Sequence, residues 1–206
     1  MRVSTHIRCE SFPCNDAVHS SYLIPNVDID PQAVSIMLIS ESAPASLADH
    51  YYAEGDPLFQ QTTVRAFKDA GIDVDSVPDI LNLGVYLTPA VKCGKSDYAI
   101  KTGTIETCSH LLEQELALFP NVKALLLMGD VAIKAVNAIA RRSGLPRVIP
   151  AESTYKIRGR SFFYKRLRAF PSYLQAGPSF FIEKVKRKAI AEDIAAAFNW
   201  VQQSGA

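Results

Sequence analysis

The chain has 206 residues, of which 48% are apolar and 21% are charged, and its formal net charge is +1. This length and apolar content are enough for one domain with a continuous core, and the near-zero charge excludes an acidic solvating segment or a strongly basic nucleic-acid module. No apolar stretch reaches the roughly 18 residues of a membrane helix, and the first residues contain no apolar region typical of a secretory signal. We therefore expect a cytoplasmic, monomeric protein without membrane contact.

The first third of the chain is predicted to hold an irregular arm, a buried strand and a helix. Prolines interrupt residues 1–31, which form the arm. The continuous, β-branched run AVSIMLIS (33–40) is typical of a strand that is covered on both faces. Apolar residues then recur at helical spacing in FQQTTVRAFKDAG (59–71), and Gly71 is expected to end this helix.

The middle of the chain predicts a second strand and a second helix. LGVYLTPAVKC (83–93) has the composition of a strand. Pro89 must lie at an edge or an end of the sheet, because proline cannot donate a hydrogen bond to a neighbouring strand. TGTIETCSHLLEQELALFP (102–120) predicts a helix that Thr104 caps and Pro120 ends.

The C-terminal half continues the alternation of strand and helix. VKALLLMG (122–129) predicts a third buried strand, and DVAIKAVNAIARRSG (130–144) predicts a helix capped by Asp130. Residues 153–170 alternate polar and apolar side chains around a glycine, which indicates a hairpin or two short strands. A long amphipathic helix is predicted over 179–203.

Buried strands that alternate with helices define the predicted fold class. We expect an α/β protein, a three-layer α/β/α sandwich with a central, mostly parallel four-stranded sheet, formed by a single domain over residues 1–206. In such sheets ligands bind outside the carboxyl ends of the strands. The chemistry is therefore expected in the segments SESAPAS, PAVKCGK, MGD and AFPSYLQAGPS.

Four cysteines are the clearest candidates for a metal site. Cys9 and Cys14 lie in the irregular arm, where a thiol has no core to fill, and Cys93 follows the second strand. Cys108 shares a helical face with isoleucine and leucine, so a core thiol is an open alternative for this residue. Four thiolates suit a structural zinc ion or an iron–sulfur cluster, and the residues alone leave both open.

The order of these pieces resembles the iron–sulfur (family 4) uracil-DNA glycosylases over nearly the whole chain. The matching pieces are the cysteine pair of the arm, ISESAPAS (39–46), GDPLF (55–59), PAVKC (89–93), a further cysteine after fourteen intervening residues, and AFPSYL (169–174). The resemblance implies a uracil-DNA glycosylase-like fold. It also implies a structural 4Fe–4S cluster, with zinc as the alternative metal, held by Cys9, Cys14, Cys93 and Cys108.

The resemblance further implies which residues carry the chemistry. Glu41, in the first of the matching strand-end motifs, is the expected catalytic carboxylate that positions a water molecule, with Asp49 or His50 as alternatives. Phe59, in the GDPLF segment, is expected to bind substrate by stacking on a flat base.

Two positions depart from the family's pattern. Pro89 stands where the family has an asparagine that pairs with the edge of the base, and Phe170 stands where it has a histidine. Neither side chain can donate the hydrogen bond expected there. Ser172, in the same final motif as Phe170, completes the substrate-binding residues that the resemblance implies.

The segment after the final motif is the expected contact with DNA. Tyr173 and Leu174 stand where the family has a loop that inserts into the duplex, although both could equally pack at a corner of the domain. Arg168 and the lysines near it are candidates for phosphate contacts, and a solvated surface is the alternative for that charge. The implied partner is DNA with an extruded base.

Together these features predict a DNA-repair glycosylase, a hydrolase that cleaves the N-glycosidic bond of a damaged or deaminated base. Because of Pro89 and Phe170, its specificity is expected to differ from uracil. The alternative is a catalytically inactive iron–sulfur protein of the same fold that binds nucleic acid or a nucleobase-like ligand.

Overall fold

A computed structural model describes residues 1–204 of the chain. The strands are β1 (Ala17–Val18), β2 (Ile36–Ser42), β3 (Val85–Val91), β4 (Gly94–Lys95), β5 (Ala124–Met128), β6 (Phe162–Tyr164) and β7 (Leu167–Ser172). The helices are α1 (Leu58–Asp69), α2 (Val77–Asn82), α3 (Thr102–Ala117), α4 (Asp130–Arg142), α5 (Thr154–Ile157), α6 (Ser179–Ile182) and α7 (Lys184–Gln203). Short 3₁₀ helices occupy Val3–Thr5 and His19–Ser21.

The central sheet has the strand order β3-β2-β5-β7-β6. β3, β2, β5 and β7 run parallel, and β6 pairs antiparallel with β7. This confirms the predicted α/β fold with a mostly parallel sheet. The three predicted buried runs correspond to β2, β3 and β5, and the predicted hairpin corresponds to β6 and β7, which give the sheet five strands rather than four. The hairpin prediction was wrong for the first residues of 153–170, which form the short helix α5.

Helices cover both faces of this sheet. α3 and α4 pack on one face, while α1, α2 and α7 lie on the other side. In β5, Leu125 and Leu127 belong to one apolar cluster, and Leu126 and Met128 belong to the other. This explains why the strand is apolar at every position, since both of its faces are buried.

Three helix boundaries differ from the prediction. Thr104 does not cap α3, which begins after Lys101; its hydroxyl instead donates a hydrogen bond to the carboxylate of Asp16. Asp130 is the first residue of α4 rather than its cap, which is Gly129. The long C-terminal helix is divided into α6 and α7 at Glu183, whose ψ of 71° is not helical.

The N-terminal arm is fastened along the segment that follows β3. β1 pairs antiparallel with β4, and the hydroxyl of Ser21 accepts a hydrogen bond from the N–H of Gly94 at 2.9 Å. The backbone N–H of Leu23 donates to the carbonyl of Lys92 at 2.7 Å. These contacts bring the cysteines of the arm to the corner between β3 and α3. No helix among residues 1–204 is both long and apolar enough to cross a membrane.

Candidate functional site

A crevice opens at the carboxyl ends of the parallel strands. It has a volume of about 550 Å³ and is lined by Glu41 from β2, Gly129 and Asp130 after β5, and Ser172 from β7. Tyr173 and Leu174 extend this lining. Four residues that the sequence predicted for the site, Glu41, Ser172, Tyr173 and Leu174, therefore meet in one cavity, at the edge of the sheet where ligands of such folds bind.

Glu41 is held against the start of α4. Burial raises the pKa of its carboxyl group, while the backbone N–H of Val131 and the charge of Lys95 act in the opposite direction. Gly129 makes room for this carboxylate: it has a φ of +102°, and a Cβ atom there would lie 2.5 Å from Oε1 of Glu41. Glycine is therefore required at this position both by the backbone conformation and by the neighbouring carboxylate.

The rim of the crevice carries lysines and aromatic rings. Lys95, Lys134 and Lys186 line the cavity, and Lys134 also pairs with Asp130. Nζ of Lys95 lies 5.7 Å from the ring centroid of Tyr98, whose side chain is 92% exposed. Ammonium groups beside exposed rings suit the phosphates and unstacked bases of a nucleic acid. Sequence analysis missed Lys95 and Tyr98, although both lie in the segment that follows a predicted strand end.

Ser172 is fixed by a buried carboxylate of α7. Its hydroxyl donates a hydrogen bond to Oδ2 of Asp193 at 2.6 Å, and Nη2 of Arg158 lies 3.1 Å from Oδ1 of the same residue. Burial raises the pKa of Asp193, although the Ser172 hydroxyl and Arg158 act against this effect. The position of Ser172 is thus set by this contact, and its hydroxyl proton is directed towards Asp193 rather than into the crevice.

Phe59 and Pro89 lie outside the lining of the crevice. The ring of Phe59 packs at 5.4 Å from that of Tyr51. Pro89 is buried within β3, opposite Ser40 of β2, and β3 is an edge strand, as proline requires. Neither ring reaches the cavity that Glu41 lines.

The two alternative water-positioning residues are also engaged elsewhere. Oδ1 of Asp49 accepts the backbone N–H of Phe59 at 3.0 Å. Nδ1 of His50 accepts the backbone N–H of Tyr52 at 2.9 Å, and burial lowers the pKa of this imidazole. Glu41 is therefore the carboxylate of this group that lines the crevice.

Phe170 and Arg168 lie within β7 rather than beyond its carboxyl end. Phe170 is buried in the apolar cluster that includes residues of α7. The guanidinium carbon of Arg168 lies 5.0 Å from the centroid of the Phe170 ring and 5.1 Å from that of Trp200. Arg168 pairs with Ala124 at the amino end of β5, so it lies towards the opposite end of the sheet from the crevice.

The four cysteines line a second cavity, which has a volume of about 540 Å³. Burial raises the pKa of Cys93 to about 12, and negative charge at the other three cysteines contributes. Burial also raises the pKa of Cys108 to about 11, although the backbone N–H of Lys92 donates to its sulfur at 3.2 Å and opposes the shift. The four sulfur atoms are thus close enough to influence one another electrostatically.

The cysteine cavity is lined by soft donors. Among residues 1–204, no group of three or more histidine, cysteine or acidic side chains is arranged to hold a single metal ion. The four thiols instead surround a shared space at the corner between the arm, β3 and α3. By its chemistry this donor set fits thiophilic metals and iron–sulfur clusters, because a bound cation removes the mutual repulsion of the thiolates and lowers their pKa.

Fold and crevice together define a three-layer α/β protein with a crevice at the carboxyl ends of its parallel strands. The family model of the Uracil DNA glycosylase superfamily matches residues 28–193. Because this match covers more than half of the sequence, the chain belongs to that superfamily. The matched range includes the crevice, Cys93 and Cys108, and it begins after Cys9 and Cys14. A search of the curated proteins finds no significant match.

Proposed function

We propose that the protein is a DNA glycosylase that hydrolyses the N-glycosidic bond of a damaged or deaminated base, with a specificity altered from uracil. The observation that supports this most strongly is Glu41, a carboxylate at the floor of a crevice whose rim carries three lysines. Glycosylases extrude the target nucleotide into such a pocket. Here the lysines of the rim would bind phosphates, and Tyr173 and Leu174 would fill the space that the extruded base leaves in the duplex.

Glu41 supplies the chemistry of the proposed reaction. Its carboxylate positions a water molecule and accepts a proton from it, while the water oxygen forms a bond to C1′ of the deoxyribose. The bond between C1′ and the base nitrogen breaks, and the base departs with the bonding electron pair. The packing of Glu41 against Gly129 keeps the carboxylate in a single place, as catalysis by a positioned base requires.

The proposed specificity different from uracil rests on the resemblance, since Pro89 and Phe170, which lie outside the crevice lining, stand where the family has donors to the base. The expected amide at position 89 is absent, and a phenyl ring at position 170 cannot stabilise charge on a departing base. One such donor contributes about 3–4 kcal/mol to a transition state. A base that leaves more readily, or that is read by other groups, is therefore the better substrate for this chain.

Nicking of defined duplexes tests this proposal. We expect abasic product, revealed as strand breaks after alkali, from at least one duplex that carries hypoxanthine or xanthine, and a slower reaction with uracil. The same duplex with an undamaged base is the control. Absence of abasic product from all three lesions would refute the enzymatic proposal.

The departures at Pro89 and Phe170 also favour a second function, binding of nucleic acid or of a nucleobase-like ligand without catalysis. In this case the lysine rim is retained and the chemistry is lost. The nicking assay separates the two proposals, because a binder yields no abasic product, and a gel shift tests whether the protein binds DNA. A catalytically inactive binder still shifts lesion-bearing DNA, and its affinity falls steeply with salt because phosphate contacts release counterions.

We further propose that Cys9, Cys14, Cys93 and Cys108 hold a 4Fe–4S cluster, with zinc as the alternative metal. A cluster there would tie the N-terminal arm to the corner between β3 and α3, and its role would be structural. The shared cavity and the mutual influence of the four thiols support this proposal. The resemblance to the family 4 enzymes supports the choice of iron over zinc.

Metal content and one cysteine substitution test the site. We expect the purified protein to contain about four iron and four sulfide per chain, as a 4Fe–4S centre requires, and Cys93→Ser to lose most of both and to unfold at a lower temperature. Thr107→Ala is the matched control, because Thr107 lines the same cavity and has no sulfur. Stoichiometric zinc without iron would support the zinc alternative over the cluster. Equal metal content in Cys93→Ser and wild type would contradict the proposed metal site.

A further inference from the structure

Gln175 places a side-chain amide in the interior of the protein. Its side chain is fully buried, and Nε2 donates a hydrogen bond to the hydroxyl of Tyr51 at 2.9 Å. A longer contact of 3.5 Å joins Nε2 to the hydroxyl of Thr63. Oε1 has no hydrogen-bond partner among residues 1–204. The amide is thus held on its donor side, and its acceptor is left unpaired.

Ser40 places a second buried polar group near this amide. The hydroxyl of Ser40 is also completely buried and has no hydrogen-bond partner within the described part of the chain. Burial raises the pKa of the Tyr51 hydroxyl above the ordinary value of tyrosine, and Ser40 acts against this through a contact too weak to satisfy hydrogen-bond geometry. Tyr51 therefore lies between Ser40 and Gln175, and the three side chains form one polar cluster.

Two unpaired buried groups in one cluster call for a physical reason. Nearly all buried polar atoms in proteins have a hydrogen-bond partner, and one without a partner destabilises the folded state. A ligand that supplies the missing partners removes this destabilisation on binding. An amide oxygen accepts one N–H group, and a serine hydroxyl can donate to a neighbouring acceptor.

The polar cluster lies at the same end of β2 as the proposed catalytic carboxylate but on the other face of the strand, because consecutive side chains of a strand point to opposite faces. Ser40 directly precedes Glu41, and Gln175 directly follows the Tyr173–Leu174 pair that lines the crevice. Pro89 pairs with Ser40 across β2 and β3, so the cluster adjoins the position that lacks the expected base-reading amide. On the other side, the ring of Phe59 packs against Tyr51. A flat ligand placed here would meet an aromatic ring and polar groups together.

We propose that Gln175 and Ser40 read the edge of the extruded base. Oε1 of Gln175 accepts a ring N–H, and the hydroxyl of Ser40 donates to the adjacent carbonyl oxygen. This pattern of donor beside acceptor is the lactam edge that deamination creates in hypoxanthine, xanthine and uracil. The cluster is fully buried and does not line the crevice, so entry of the base requires displacement of Tyr173 and Leu174, which line the crevice and directly precede Gln175. This inference rests on the proposed function, and it adds which residues recognise the base.

Free bases with and without the ring N–H provide the direct test. The probes are hypoxanthine and 1-methylhypoxanthine, together with uracil and 3-methyluracil, whose affinities are measured by calorimetry on the full chain. We expect wild type to prefer the unmethylated member of at least one pair. Gln175→Met, which keeps the side-chain volume, should weaken that base by at least about tenfold and reduce the preference. Gln61→Met is the control, since Gln61 is exposed and its amide donates to the carbonyl of Asp56 rather than to a member of the cluster.

The outcomes separate this inference from the proposed function. If wild type cleaves a lesion and Gln175→Met retains wild-type affinity and preference, the inference is overturned while the glycosylase proposal stands. If no lesion is cleaved but a lactam base binds through Gln175, the glycosylase proposal fails and the inference holds. Should Gln175→Met not fold, Ser40→Ala takes its place with the same expected loss. An unfolding temperature that falls without any change in base preference would mark both residues as structural only.

Discussion

Glu41→Gln is expected to lower the rate of base excision by about 10²–10⁴-fold, the contribution of a positioned general base. The substitution preserves the shape of the side chain beside Gly129 but removes the group that accepts the proton of the attacking water. Binding of DNA should change little, because the phosphate contacts are assigned to the lysines of the rim. The measurement is single-turnover nicking of the best lesion, together with a gel shift at two salt concentrations.

Glu183→Gln is the matched control for this prediction. Glu183 lines the same cavity as Glu41, but it lies at the rim, where its carboxylate pairs with Lys186. We expect this variant to cleave at nearly the wild-type rate. Equal rates for wild type and Glu41→Gln would contradict the catalytic assignment of Glu41, even if the protein proved to be an active glycosylase.

The pH dependence of cleavage follows from the burial of Glu41. The carboxyl group acts as a base only when ionised, and burial raises its pKa. The rate should therefore fall on the acidic side at a higher pH than the ordinary pKa of glutamate would give. The residual rate of Glu41→Gln should not show this acidic limb, which separates the titration of Glu41 from acid unfolding of the whole protein.

The strands of the sheet were predictable because burial on both faces requires a continuous run of apolar residues in the sequence. Runs such as AVSIMLIS and VKALLLMG correspond to β2 and β5 to within a few residues. Helix starts were less predictable. Thr104 has the chemistry of a cap, yet its hydroxyl binds Asp16, which is 88 positions away in the sequence. A contact between residues so far apart in the sequence cannot be predicted from the residues around Thr104.

The position of the crevice was also partly predictable from the sequence. Strand ends indicated where Glu41 and Ser172 would meet, since parallel strands present their carboxyl ends at one edge of the sheet. The resemblance to a family orders motifs along the chain but does not determine where a strand ends. β7 continues through Ser172, so Phe170 lies within the strand and its ring packs into the core. The polar cluster around Gln175 depends on side-chain packing and had no sequence pattern.

The sequence also gave no sign that Lys92 is buried. Lys92 and Glu115 are both completely inaccessible to solvent and form an ion pair. Nζ of Lys92 also donates to the hydroxyl of Thr88 at 2.7 Å and to the carbonyl of Pro89 at 2.6 Å. Oε1 of Glu115 accepts the hydroxyls of Tyr86 at 2.6 Å and Thr88 at 2.8 Å. Every charged atom of this network therefore has a partner, as burial in a region of low dielectric constant requires.

Removal of one partner should be far more damaging than removal of both. Lys92→Met leaves the carboxylate of Glu115 buried without its counter-charge, which costs about 3–5 kcal/mol. For a domain of this size such a loss lowers the midpoint of thermal unfolding by roughly 6–20 °C. The double variant Lys92→Met with Glu115→Leu removes both charges, and we expect it to regain part of the loss, although the hydroxyls of Tyr86 and Thr88 remain to be paired.

Thermal and urea unfolding of four proteins would measure this effect. They are wild type, Lys92→Met, the double variant and Lys68→Met, whose exposed pair with Asp75 should contribute less than about 1 kcal/mol. The backbone N–H of Lys92 donates to Cys108, so a shift of this segment in the single variant should also weaken metal binding at the proposed cysteine site. If Lys92→Met unfolds at the wild-type temperature, the ion pair of Lys92 and Glu115 does not stabilise the fold, and it does not support the cysteine corner either.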